Sequence, residues 1–174
     1  MIENFEASFD HLIKSEGGYV WDKDDSGGET NLGVTKVAWS EYLKRRIEDG
    51  EMKALTIDAV KPFYKKMFWD KLSCDSLPNG VDYAVFDFGV NAGTGRSAKF
   101  LQRAVGAVAD GAIGPTTLGK VKAMDSDVLL QAFSDQKEDF YNAIVNNNPT
   151  QSKFLKGWLN RVASVQSTAE SMMA

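Results

Sequence analysis

The sequence predicts a mainly α-helical protein with one small non-helical region near its N-terminus, and three observations lead to that fold class. Most of the 174 residues fall into segments whose apolar residues recur with the 3.6-residue period of a helix. A hydrophobic content of 43% is enough for a buried core at this length. Residues 17–35 lack the helical period and are rich in glycine. Two short strands around a Gly-Gly turn, or an irregular region, fit that stretch best.

The first helix is predicted over residues 3–16. Gly17 is its expected end, because glycine adopts the left-handed conformation that closes a helix at almost no steric cost. Glu16 is therefore placed in the last turn, at the negative end of the helix dipole. The apolar residues of this segment share one helical face: Ile2, Phe5, Phe9, Leu12 and Ile13.

Two further helices are predicted before the middle of the chain. Thr35 can cap the first and Thr56 the second, since a threonine hydroxyl accepts a free N–H group of the first helical turn. Pro62 fits the second helix only in its opening turn, or where a new helix begins after a kink.

A turn-rich stretch, SCDSLPNG at residues 73–80, is the best candidate boundary in the chain. We therefore expect one region over 1–78 and a helical region over 79–174 that packs against it. Five helices are predicted in the second region: one that ends at Gly93, one over 96–105, one that begins near Pro115, and two longer ones over about 127–146 and 152–170.

Composition narrows the classes of function. The net charge of −4 and the pI near 5.1 argue against the basic surface that nucleic acids and anionic membranes attract. We therefore expect no nucleic-acid partner and no stable membrane association, and we expect a monomer. The N-terminal residues are acidic where a secretory signal would be basic, so we expect no signal peptide and synthesis in the cytoplasm.

No metal or cofactor is expected. A calcium loop that begins at Asp22 would need a glutamate at its twelfth position, where the sequence has Gly33. His11 is the only histidine and Cys74 the only cysteine, so the ligands for a zinc site are missing.

Glu16 is the strongest candidate for chemistry. An anion at a helix C-terminus is disfavoured, and shielding by Phe9, Ile13 or Trp21 would raise the pKa of Glu16 further. A protonated carboxyl is the group that glycoside cleavage needs, because the leaving oxygen must receive a proton. The alternative interpretation is a solvated glutamate that ends a helix.

Two motifs, in this order, resemble one enzyme family. EGGYV at 16–20, followed by DKDDSGGETNLGVT at 22–35, resembles the N-terminal signature of the phage and bacterial muramidases of glycoside hydrolase family 108. FDFGVNAGTGRSAKFLQRAVGAVADGAIGPTTL at 86–118 resembles the predicted peptidoglycan-binding domain that follows in that family. The two together cover most of residues 12–122.

The resemblance implies a lysozyme-like helical fold and activity on the glycan of bacterial peptidoglycan, often in a bacteriolytic phage or prophage endolysin. It also implies that Glu16 is catalytic. We therefore expect a muramidase that hydrolyses the β-1,4 bond between N-acetylmuramic acid and N-acetylglucosamine, with Glu16 as the general acid. Such an enzyme would act on the periplasmic cell wall after release from the cytoplasm.

The second catalytic group stays open. Asp25 follows Glu16 by nine residues, a spacing similar to that between the acid and the aspartate of phage lysozymes. Thr30, or the nearby Asn31, could instead hold the attacking water, as a threonine does in some of those enzymes. Tyr19 and Asn31 are predicted to bind substrate, Tyr19 by stacking on a sugar face.

Residues of the second region are also candidates for substrate binding. Asn91 and Arg96 offer planar groups for N-acetyl or peptide carbonyls, and Arg96 could pair with a carboxylate of the stem peptide. The sequence D-G-x-I-G-P-x-T at 110–117 resembles a loop of peptidoglycan-binding modules. Two interpretations fit this motif: a tight turn that Asp110 stabilises through hydrogen bonds to loop amides, or a direct contact with the cell wall.

Two rival functions remain compatible with the sequence. A lytic transglycosylase would also use a single glutamate, but it closes a 1,6-anhydro ring instead of admitting water. A non-catalytic wall-binding or secretion-associated protein would keep the fold without the reaction.

Overall fold

The computed structural model describes residues 2–22 and 28–174, and it confirms a mainly α-helical fold with a small antiparallel sheet near the N-terminus. Asp25 lies outside the described residues. The helices are α1 (Ile2–Ile13), α2 (Lys36–Leu43), α3 (Ile57–Tyr64), α4 (Val81–Ala92), α5 (Thr94–Ala104), α6 (Pro115–Ala123), α7 (Ser126–Asn147) and α8 (Ser152–Met173), and the strands are β1 (Val20–Trp21), β2 (Glu29–Asn31) and β3 (Val34–Thr35).

Helix α1 ends three residues earlier than predicted. The backbone N–H and the hydroxyl of Ser15 both donate to the Leu12 carbonyl, at 3.0 and 2.8 Å. That carbonyl would otherwise accept the N–H of Glu16 in a continued helix, so the N–H of Glu16 donates to Ile13 instead, at 3.3 Å. The left-handed φ expected at Gly17 is not observed. Glu16 therefore lies beyond the helix, in the turn that follows it.

The sheet has three strands where two were predicted, in the order β1-β2-β3 with antiparallel pairing. Val20 pairs with Thr30, and Asn31 pairs with Val34. The turn between β2 and β3 has positive φ at both central residues, 51° at Leu32 and 77° at Gly33. That combination is typical of a type I′ turn. Strand β3 has only two residues, so it is too short to show an alternation of apolar and polar residues in the sequence.

Threonine caps begin α2 and α3 as predicted. The Thr35 hydroxyl accepts the N–H of Ala38 at 3.1 Å, and the Thr56 hydroxyl accepts the N–H of Ala59 at 3.2 Å. Each cap satisfies one of the N–H groups that a first helical turn leaves free.

Pro62 lies inside α3, contrary to the prediction that placed it in an opening turn or after a kink. The chain stays helical beyond it, and residues Lys65–Trp69 continue directly as a π-helical turn. Because proline has no N–H, the helix loses one bond of its regular ladder at this position.

Glycine and proline mark helix ends in the second half of the chain as predicted. Gly93, with φ of 95°, ends α4, and Pro115 begins α6. The last helix extends three residues beyond its predicted end, to Met173.

Helix α4 is the centre of the core, and its residues from Val81 to Gly89 are all buried. Phe86 packs edge to face against Phe5 of α1 and Trp69, with ring centroids 6.0 and 5.4 Å apart. Phe88, on another side of the helix, packs against Phe100 of α5 at 5.1 Å. One continuous core therefore includes residues from both predicted regions.

Candidate active site

Glu16 lies half-buried where the turn after α1 meets the hairpin turn between β2 and β3. Gly33 makes this approach possible. A Cβ atom at Gly33 would lie 2.6 Å from Oε2 of Glu16 and would overlap the hydroxyl of Tyr64. Since φ of Gly33 is also positive, both the conformation of the turn and the space beside the carboxyl require glycine.

Tyr64 of α3 holds this turn in place. Its hydroxyl donates a hydrogen bond to the Leu32 carbonyl at 2.8 Å. Burial, together with the charge of Glu16, raises the pKa of Tyr64, so the phenol stays protonated. The position of the Glu16 carboxyl against the turn is therefore supported by a buried aromatic side chain.

Burial raises the pKa of the Glu16 carboxyl above its ordinary value. The positive charge of Arg161 opposes that change, and the negative charge of Asp87 adds to it. Within the described part of the chain, the carboxyl accepts no hydrogen bond. The pKa is thus raised as the sequence predicts, with burial as the largest cause, while Glu16 lies beyond the helix end at which it was expected. A desolvated and unbonded acid is suited to protonating a substrate oxygen.

Asp87 and Arg161 form an ion pair beside this acid, and sequence reasoning missed both residues. Nη2 of Arg161, on α8, lies 2.8 Å from Oδ1 of Asp87, on α4. Both line a groove of about 560 Å³ that also includes Lys14 and Ser15. The available signal was an acid within the apolar segment that forms α4, since a buried carboxylate needs a partner.

Tyr19 lies on a second groove, of about 550 Å³, beside the sheet. Its hydroxyl donates to Glu29 at 2.8 Å, and Nζ of Lys36 donates to the same carboxylate at 2.7 Å. The hydrogen bond from Lys36, followed by that from Tyr19, lowers the pKa of Glu29. The tyrosine ring is therefore held by an ionised carboxylate. Its predicted stacking on a sugar remains a prediction.

Asn31 and Thr30 occupy opposite faces of β2. Asn31 is buried, with 5% of its surface exposed, and its side-chain N–H donates to the Met52 carbonyl at 2.9 Å. This contact gives Asn31 a structural role, and its predicted role in substrate binding stays a prediction. Thr30 is half-buried, and the described structure records no contact between its hydroxyl and Glu16.

Asn91 and Arg96 come together in a groove of about 370 Å³ that Arg161 also lines. Asn91 donates to the Asp87 carbonyl at 2.9 Å, and Arg96 donates to the Ala92 carbonyl at 3.1 Å. Both residues are exposed. Because Arg161 borders this groove and the one that Ser15 and Asp87 line, the structure brings the candidates of the second region close to the Asp87–Arg161 ion pair.

Neither a metal site nor a membrane span is found in residues 2–22 and 28–174. No three His, Cys, Asp or Glu side chains in these ranges are arranged to hold a metal ion. None of the helices there combines the length and the apolar character that crossing a bilayer requires.

Comparison with known proteins gives a match in each half of the chain. The family model described as Glycosyl hydrolase 108 matches residues 9–93, and the one described as Predicted Peptidoglycan domain matches residues 96–163. The solved structure of Brucella abortus SagA is 36% identical in sequence, with a TM-score of 0.84. That similarity covers 99% of this chain and 97% of the other. The sequence matches none of the curated proteins.

Proposed function

This chain belongs to the glycosyl hydrolase 108 family, and from that premise we propose that it is a muramidase with Glu16 as its general acid. The bond it would hydrolyse is the β-1,4 bond between N-acetylmuramic acid and N-acetylglucosamine. Family membership supports a glycoside hydrolase that acts on peptidoglycan, and the second matched region supports peptidoglycan as the partner. The observation that carries the role of Glu16 is its half-buried carboxyl, with a raised pKa and no hydrogen bond within the described residues.

The reaction would begin with transfer of the Glu16 proton to the glycosidic oxygen as the bond from that oxygen to the sugar C1 breaks. Positive charge then develops on the sugar ring, and water attacks C1. Asp25 would take the proton of that water, or Thr30 would hold the water in place. The choice between Asp25 and Thr30 remains open.

Substrate would occupy two grooves in this proposal. The first is the groove beside the sheet, where Tyr19 presents its ring. The second is the groove with Asn91 and Arg96, whose guanidinium stacks on the ring of Phe140 at 4.6 Å. Aromatic faces and planar hydrogen-bonding groups suit N-acetyl sugars and their peptide stems.

The role of Glu16 is tested by Glu16→Gln, which keeps the shape of the side chain and removes the transferable proton. We expect loss of activity on purified cell walls by roughly a hundredfold or more, with the fold retained. Glu6→Gln is the matched control. It makes the same chemical change at an exposed ion pair with Lys61, and lysis should be unchanged. Lysis by Glu16→Gln at the native rate would contradict the catalytic assignment.

The products distinguish the rival reactions. A muramidase releases muropeptides with a free reducing end, whereas a lytic transglycosylase releases 1,6-anhydro products that are one water lighter in mass spectrometry. Native protein that pellets with the walls but releases no fragments would support the non-catalytic alternative.

We further propose that the chain acts as a monomer on the periplasmic wall after release from the cytoplasm, as an endolysin would. In this proposal, residues 1–78 supply the acid and residues 79–174 help to hold the wall.

A further inference from the structure

The two regions matched by different families each supply one residue to a single ion pair. Asp87 lies within residues 9–93, and Arg161 lies within residues 96–163. Only 3% of the surface of Asp87 is exposed. Nε of Arg161 is buried without a hydrogen-bond partner in the described part, which leaves it as an available donor. Both residues line the groove that contains Ser15, the residue before Glu16.

We propose that Asp87 and Arg161 are positioning residues that set the electrostatic field at Glu16, so that helix α8 completes the catalytic site. This inference rests on the proposed function. It assigns a catalytic contribution to the region otherwise expected only to bind the wall.

The ionisable groups that face Glu16 come from three elements. Tyr64 of α3 is neutral because its pKa is raised, so the balance depends on Asp87 of α4 and Arg161 of α8. A lone guanidinium beside Glu16 would favour the carboxylate and remove the proton before substrate arrives. Asp87 counters that effect. Once the proton has been transferred, Arg161 is in place to stabilise the anion.

Other titratable groups face the pair and limit the pH range of a clean test. Asp87 interacts with Lys137 and Tyr141 of α7 and with Tyr83 of its own helix. Burial lowers the pKa of Lys137 to about 8 and raises the pKa of both tyrosines. Between pH 3 and pH 7 these three groups keep one protonation state. His11 of α1 and Lys14, just after that helix, line the same groove and are left unchanged in every variant, so the Glu16 midpoints are compared with the same two side chains present.

The test is a direct titration of the Glu16 carboxyl by ¹³C NMR on the full chain without substrate, with the signal assigned by its absence in Glu16→Gln. In Asp87→Asn, Arg161 is unopposed, so we expect Glu16 to titrate at a lower pH than in the native protein. Adding Arg161→Gln to Asp87→Asn should move the titration back toward the native midpoint. Thermal unfolding of both variants measures structural damage separately, because removing an unpaired Arg161 would also restore stability.

The control is Glu51→Gln, which removes another arginine–carboxylate ion pair, with Arg45 at 2.6 Å, and should leave the titration of Glu16 unchanged. An unchanged or higher midpoint in Asp87→Asn, or no reversal in the double variant, would overturn the proposal. If Asp87→Asn does not fold, the single variant Arg161→Gln tests the proposal in its place. Its Glu16 should titrate at a higher pH than in native protein, and an equal or lower midpoint would overturn the inference.

The titration is interpretable whether or not Glu16 is the general acid, so the two proposals fail separately. If both proposals are correct, the pH dependence of wall lysis shifts in the same direction as the titration of Glu16. The ratio of activity at pH 7 to activity at pH 5 should fall about threefold or more in Asp87→Asn and recover in the double variant.

Discussion

Glu16 and Asp110 are both acids beside glycines in motifs that the sequence singles out, but the structure surrounds them differently. Asp110 Oδ1 accepts the N–H of Ala112 at 2.9 Å and the side-chain N–H of Gln102 at 2.8 Å, and these bonds lower its pKa. Glu16 accepts no hydrogen bond from any described residue, and burial raises its pKa. An acidic residue beside glycines can therefore either stabilise a loop or serve as a reactive group. The hydrogen-bond donors around its carboxyl decide between the two roles.

Gln102 is the brace of the Asp110 loop. The side chain is 1% exposed, and its amide nitrogen also donates to the Ala112 carbonyl at 3.0 Å and to the Thr117 hydroxyl at 3.2 Å. Its carbonyl accepts the N–H of Gly111 at 2.9 Å. These bonds account for the tight turn of the motif without a bound ligand, which favours the structural interpretation of the loop.

We expect the largest loss of activity from Gly33→Ala, because the added side chain would fill the space beside the hairpin turn that the Glu16 carboxyl now occupies. The new methyl group would displace the carboxyl and the Tyr64 hydroxyl. We expect wall lysis to fall by roughly a hundredfold, because displacing a catalytic group by about an ångström costs that much. Stability should also fall, by about 1 to 3 kcal/mol, from the strained φ. Lysis rates and thermal unfolding measure the two effects.

Gly106→Ala is the matched control from the second half of the chain. Gly106 also has a positive φ, 66°, but a Cβ there would meet open space. The control should lose stability and keep its activity per folded molecule. Native activity in Gly33→Ala would mean that the carboxyl is not held where we place it.

We expect an intermediate effect, on stability, from Gln102→Ala, which removes the hydrogen bonds that hold the Asp110 loop. The change leaves several loop groups without their partner, so we expect the free energy of unfolding to fall by about 2 kcal/mol. Activity per folded molecule and the titration of Glu16 should not change. Gln131→Ala, at an exposed hydrogen bond to Asp135, should change stability by less than about 0.5 kcal/mol. Loss of wall binding in Gln102→Ala without loss of stability would indicate that the loop contacts the substrate.

The smallest effect is the pH dependence of stability, which should differ in sign between the two acids. The folded pKa of Glu16 is raised, so its contribution is present below the unfolded pKa and is lost as pH rises through the folded value. Glu16→Gln should therefore gain stability relative to native protein between pH 4 and pH 7.

The folded pKa of Asp110 is lowered, so its contribution is present above the unfolded pKa and is lost as pH falls through the folded value. Asp110→Asn should therefore be less stable than native protein at pH 7, by a difference that shrinks toward pH 3. Thermal unfolding at each pH measures both variants. If stability changes in the same direction with pH in Glu16→Gln and Asp110→Asn, the surroundings of the two carboxyls do not determine their contributions to stability.

Sequence reasoning succeeded where one residue determines a local feature. Thr35 and Thr56 begin their helices, and Gly93 and Pro115 mark an end and a beginning, because caps and restricted φ angles act over a few bonds. It failed at the end of α1, where Ser15 bonds back to a carbonyl that the helical pattern assigns to Glu16.

It could not find the charges around the acid either. Arg161 and Asp87 are separated by 74 positions in the chain, and no period or motif connects them. Asp87 could have been marked as an acid in an apolar helix, but its partner follows only from how α4 and α8 pack.

Local patterns in the sequence were enough to predict the mainly helical class, most helix ends and Glu16 as the candidate acid, because helical periodicity, capping and motif order are properties of neighbouring residues. Which segments bury Glu16, and which charges face it, followed only from the folded structure. Burial and through-space electrostatics depend on segments that meet only after folding, and here the hairpin turn, α3, α4 and α8 together form the surroundings of one carboxyl group.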